Sequence, residues 1–223
     1  MNFYKKCFTI QRLYKYSKDT NSEKEMLEKY FWNIQLSKEL YVLISLFEVS
    51  LRNHINYAIN EYIHRNWLID SSFIKQFLTE NELKSYSLVI NRLTEKNKLT
   101  QDNIVIELNL GFWVNLFKKI YAPRLWHKKY VFESVFPHFD KKNTNKMDYI
   151  YPKLKAIQKI RNRISHHESI FDYKQGLNNF YYNILECLSF MEPSLKEYAL
   201  KICHFEAVWD INKTKLEIKN EVY

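Results

Sequence analysis

Residues 39–60 read ELYVLISLFEVSLRNHINYAIN, and this stretch decides the fold. Within it Leu40, Leu43, Ile44, Phe47, Leu51, Ile55, Ala58 and Ile59 recur at steps of three and four residues. That spacing predicts one apolar face of a long α-helix. The stretch also holds Glu48, Arg52 and Asn53, so it is too polar to span a bilayer. Glu48 and Arg52 are four residues apart and share a helical face, with the acid N-terminal to the base as an ion pair prefers. On an exposed face such a pair contributes less than about 1 kcal/mol. Here most other sides of the helix are apolar, which points to a half-buried pair facing a cleft.

The same periodicity extends outward in both directions. Upstream, Asn21 or Ser22 is expected to cap the long helix, Glu23 and Glu25 suit its positive end, and a break is allowed near Ser37. Before it, residues 3–16 read as a short helix and 18–22 as a polar connector. Downstream the helix is expected to reach about His64. Residues 67–77 follow as a connector with short helical turns, then helices over 79–96 and 100–121, the second stopped by Pro123. A short helix is expected over 125–136 and an exposed loop over 140–146. Pro152 suits the first turn of the next helix, expected to run to about Phe171. Two last helices, over 177–190 and 194–204, precede a tail from about residue 210.

Composition agrees with this reading. The 223 residues contain two glycines and four prolines, and tight hairpins depend on such residues, so a many-stranded sandwich or barrel is improbable. The chain reads as all-α, a single helical domain over 1–223 with its core at about 8–205. Cys7, Cys187 and Cys203 form neither a CxxC pair nor a zinc-ligand spacing. Residues 1–16 lack the apolar run of a secretory signal, so the cytoplasm is the expected compartment and a membrane is not an expected partner.

The net charge of +9 is unevenly spread. Residues 118–163 carry thirteen Lys or Arg against Glu133, Asp140 and Asp148, a net of +10 that accounts for the whole excess. Trp126, Tyr130, Tyr149 and Tyr151 lie in the same segment. Clustered cations release counterions from a phosphate backbone and aromatics stack on unpaired bases, so a nucleic acid is the expected partner, the alternative being an ordinary solvated basic face. Lys153, Lys155, Lys159 and Arg163 are the candidate nucleic-acid contacts.

The chemistry concentrates at residues 161–168, RNRISHHE. Arg, Asn and His are costly to bury, yet here they sit between Ile157 and Ile160 on one side and Ile170 and Phe171 on the other. A histidine can take or give a proton near neutral pH, and an arginine clamps phosphate oxygens through two N–H groups. Together they meet the minimum for cutting RNA, whose own 2′-OH is the nucleophile.

Arg161-Asn162-x-x-x-His166 resembles the RNxxxH motif of HEPN ribonucleases. The string 161–171 is similar to the C-terminal signature of the Abi-like abortive-infection family. Two more blocks agree in order and spacing: FWNIQLS at 31–37 leading to LFEVSLRN at 46–53, and GFWVNL at 111–116. The resemblance spans about residues 8–190. It implies a HEPN-type helical bundle, usually dimeric, acting as a metal-independent endoribonuclease in phage defence or toxin–antitoxin systems. Carried over by position, Arg161 and His166 are the catalytic pair and Asn162 supports them. Glu48 and Arg52 match a polar element lining the same cleft, with His167 beside it. Some relatives are restrained by a small structured RNA, which the basic segment could accommodate. Control by a partner nucleotidyltransferase is not expected, because Glu168 stands where such toxins often have Tyr.

Other motifs fail. His167-Glu168 begins an HExxH string, but Phe171 occupies the second His position. Two isolated glycines make neither a Walker loop nor GxGxxG. No metal site or cofactor is expected. The rival functional class is a non-catalytic RNA-binding or protein-interaction module of a defence complex.

Overall fold

Ser22 begins the longest element of the protein. In the computed structural model its hydroxyl accepts the Glu25 amide, and the helix it caps runs unbroken from Glu23 to Tyr62. This is α2; α1 (Ile10–Tyr14) precedes it. The structure describes residues 6–210 except 19, 21, 141, 143–144 and 172–175. At 1.5 Å per residue α2 is about 60 Å long. The break allowed near Ser37 is absent, because Leu36 and Leu40 on either side are fully buried and keep the same face turned inward. Leu43, Phe47, Leu51 and Ile55 continue that face, each fully buried and each contributing roughly 1.5–3 kcal/mol.

The helices α3 (Ser71–Phe77), α4 (Glu80–Glu95), α5 (Gln101–Glu107) and α6 (Leu110–Asn115) follow. The single helix expected over 100–121 is thus divided. Leu108 is extended, and the Asn109 side chain accepts the Phe112 amide at 3.0 Å, which starts a new helix instead of continuing the old one. A 3₁₀ turn (Lys119–Tyr121) and a wider π turn (Ala122–Trp126) come next, with Pro123 at the start of the π turn, where its missing N–H costs little. The helix expected over 125–136 is reduced to α7 (Val131–Val135), delayed by Tyr130 at a φ of 70°. Next, α8 (Lys146–Ser165) starts earlier than expected and holds Pro152 in its second turn. It ends at Ser165, well short of Phe171. α9 (Leu177–Met191) and α10 (Pro193–Ile202) complete the order. The helix expected over 3–16 is shortened, because Thr9 caps α1 at Ile10; residues 3–5 of it and the tail after Asp210 lie outside the described residues.

The fold is all-α, with no strand among the described residues. α2 is the spine, and α6, α7, α8, α9 and α10 all pack against it. Trp67, Trp113, Phe47, Phe117 and Phe180 fill the centre. A smaller cluster of Leu13, Tyr16 and Tyr30, joined by Phe171, fixes α1 to the start of α2. No helix among the described residues is long and apolar enough to cross a membrane.

Candidate active site

The RNRISHHE segment lies where α8 stops. The amide of His167 donates to the Ile164 carbonyl at 3.0 Å and that of Glu168 to the Arg163 carbonyl at 2.8 Å. His167 itself takes a φ of 54°. This is a Schellman ending with histidine in the left-handed position that glycine usually fills. Asn97 does the same after α4, with a φ of 54° and a Lys98 amide donating to Leu93 at 2.8 Å. A chain with two glycines leaves these positions to Asn and His, which tolerate them better than most residues.

Arg161 points inward. Its Nε lies 3.3 Å from Oε2 of Glu48 on α2, with the acid side chain 18% and the arginine side chain 32% exposed. The expected Glu48–Arg52 ion pair is not formed. Arg52 instead donates to the Ile106 carbonyl at 3.4 Å, and its buried Nε has no partner among the described residues. Glu48 is thus committed to α8, while Arg52 faces α5.

His166 points elsewhere. Along α8, Lys155, Lys159, Asn162 and His166 follow at steps of four, three and four, so they form one stripe, and all four are exposed. Arg161 is five residues from His166, and a regular helix turns them about 140° apart. The helix stays regular through Ser165, so this divergence persists. Asn162 and His166 form no side-chain hydrogen bond with other described residues.

The remaining candidates divide in the same way. Lys153 lies on the far side of α8, with Nζ 2.7 Å from Glu186 and 2.8 Å from the side-chain Oδ1 of Asn183, which removes it from the stripe. Lys155 donates to Gln158 at 2.8 Å, and burial together with the charge of Lys118 pulls its ammonium below the ordinary value. Arg163 braces the turn, donating to the Ser169 carbonyl at 2.8 Å with Glu168 3.7 Å away.

Three positioning residues escaped the sequence reading. Asn33, 4% exposed, accepts the Ile170 amide at 2.8 Å and donates to the Glu168 carbonyl at 3.4 Å, so α2 holds the turn after His166 from below. Its signal was legible: a polar residue in register with Leu36 and Leu40. Arg12 on α1 donates to the His167 carbonyl, for which the sequence gives no signal. Gly111 marks where α6 meets α8, one turn before Arg161: a Cβ there would stand 2.6 Å from Nε2 at the movable end of the Gln158 side chain, which would have to shift.

The basic segment is less free than its sequence suggests. Lys118, Lys153, Arg161 and Arg163 are paired with Glu82, Glu186, Glu48 and Glu168, all from outside the segment. Trp126 is buried against Phe117 and unavailable for stacking, and the Tyr149 hydroxyl donates to Glu186 at 2.6 Å. Tyr130 remains 52% exposed, beneath the Lys129 ammonium.

Among the described residues, no group of three His, Cys, Asp or Glu is placed to hold a metal ion. No family model matches the chain, and neither a curated protein nor a solved structure matches it. The arrangement itself offers an exposed imidazole beside an amide on a cationic face, and a guanidinium fixed by a carboxylate around the helix. Such groups can move a proton and stabilise charge on phosphorus oxygens.

Proposed function

We propose that the chain is a HEPN-type endoribonuclease of the Abi-like kind, an abortive-infection or toxin-type effector that cuts RNA without a metal. What carries this reading is the placing of Asn162 and His166 at the exposed end of a stripe begun by Lys155 and Lys159. The stripe offers cations to an RNA backbone and brings it to the His166 imidazole. In the reaction the 2′-oxygen attacks the adjacent phosphorus, His166 takes its proton, and the bond to the 5′-oxygen breaks. The departing 5′-oxygen receives a proton from the medium or from a second imidazolium. The products carry a 2′,3′-cyclic phosphate and a 5′-hydroxyl.

The role of Arg161 requires a second copy. One helix directs Arg161 and His166 about 140° apart, and the helix ends too late to swing them together. In a twofold dimer whose α8 helices meet, the arginine of one copy and the histidine of the other face one groove. Glu48 holds that guanidinium in a single orientation, which suits a fixed phosphate clamp.

The test is incubation of the purified protein with a mixed RNA pool in excess EDTA. Cleavage leaving cyclic phosphate ends is the expected result. Products with 3′-hydroxyl ends, or a strict requirement for magnesium, contradict the mechanism. RNA bound but left intact identifies a non-catalytic binding module instead.

A further inference from the structure

A cavity of about 260 Å³ lies between α1 and the turn that follows His166. Arg12, Lys15 and Tyr16 line it from α1 and the residues after it, and His167, Glu168 and Ser169 from the turn. Three observations make it more than a surface dent. Ser169 is 1% exposed, and its hydroxyl, fully buried, has no hydrogen-bond partner among the described residues. A buried hydroxyl left unsatisfied is destabilising, so its place at a cavity wall points to a ligand that completes it. Lys15 is exposed and forms no ion pair with a described residue. Arg12 uses one nitrogen on the His167 carbonyl and keeps its other N–H groups. The one acid on the wall, Glu168, lies 3.7 Å from Arg163.

We propose that this cavity binds a backbone phosphate of RNA, the one adjoining the scissile phosphate. The inference rests on the RNA-cleaving reading of His166 and deepens it. The cations and hydroxyl suit an anion with several acceptor oxygens. At about 30 Å³ for a water molecule, the cavity has room for a phosphodiester group. Its wall begins at His167, the residue after His166 at the end of the Lys155–Lys159–Asn162–His166 stripe, so a phosphate neighbouring the one at His166 is the natural occupant. α1 then serves as an arm that positions substrate, and the Arg12 bond to His167 couples the subsite to the catalytic turn.

The experiment uses a labelled single-stranded RNA carrying one neutral methylphosphonate, placed at each linkage in turn. Binding is read by fluorescence anisotropy in the full-length His166→Ala protein, where the substrate survives. Alongside the scissile position, one adjoining linkage is expected to cost about tenfold in affinity, the size of one charge-assisted contact. Adding Lys15→Glu or Ser169→Ala is expected to weaken the unmodified RNA about tenfold and to erase sensitivity at that adjoining linkage. Ser169→Ala should melt no lower than its parent, since it removes a hydroxyl that no described protein group satisfies, and this separates lost binding from lost folding. Unchanged binding by both variants, while the unmutated protein cleaves RNA, overturns the subsite and leaves the cleavage reading intact. Subsite-dependent binding without cleavage keeps the subsite and removes the catalytic reading. Inorganic phosphate that raises the melting temperature in a Ser169-dependent way, with no effect of either variant on RNA, assigns the cavity to free phosphate and overturns the proposal.

Discussion

Arg161 and Glu48, 113 residues apart in the chain, meet at 3.3 Å between α8 and α2. The guanidinium is therefore oriented before any substrate arrives. Replacing Glu48 with Ala frees the arginine and, on the proposed reading, also removes a negative charge near the phosphate that Arg161 would clamp. The expected outcome is a split: kcat falls by up to about 10²-fold, as misplacement of a positioned group can cost, while KM stays level or falls. Steady-state kinetics on a short RNA checks it, and an equal rise in KM with unchanged kcat contradicts a positioning role.

Asn33 offers a structural counterpart. Asn33→Leu fills similar space yet strands the buried Ile170 amide, at a cost of about 1–3 kcal/mol. In a protein of this size each kcal/mol lowers Tm by roughly 2–4 °C. Thermal unfolding followed by circular dichroism should show that drop, with cleavage reduced by loosening of the His166 turn. A Tm equal to that of the unmutated protein denies Asn33 this role.

Acid stability turns on Glu82. Its carboxylate is almost wholly buried, which favours protonation, but bonds from Thr79, Lys118 and Tyr121 outweigh this and hold it below the ordinary 4.5. Burial pushes the Tyr121 hydroxyl up to about 12, so it stays a donor. A depressed carboxylate contributes stability above its unfolded-state value and loses it as pH falls through the folded one. Glu82→Gln should therefore destabilise the protein at neutral pH and flatten the fall in stability below about pH 4.5. Denaturant melts at a series of pH values measure this, and a parallel pH curve for the variant contradicts it.

The sequence made the spine legible because α2 buries a face with strict three- and four-residue steps. It failed where a local cap overrode periodicity: Asn109 divides the helix expected over 100–121, and His167 ends α8 early although Ile164, Ile170 and Phe171 continue an apolar pattern. The candidate site divides likewise. Arg161, Asn162 and His166 stand in the chain as a block, and Glu48 was found on the long helix. The partner of Glu48 was not, because an i,i+4 neighbour is visible in sequence and a residue 113 positions away is not. Lys153 looked equivalent to Lys155 and Lys159 until α8 turned it toward Glu186.

On the proposed reading, the divergence of Arg161 and His166 calls for a groove shared between two copies. The active protein is expected to sediment as a dimer at its working concentration. A fully active monomer in the same run contradicts the shared groove.

The most direct measurement is single-turnover cleavage of a labelled RNA by the unmutated protein, Arg161→Ala and His166→Ala, each shown to melt normally. The account predicts that both variants lose about 10²–10⁴ in rate. Undiminished cleavage by His166→Ala contradicts the assignment.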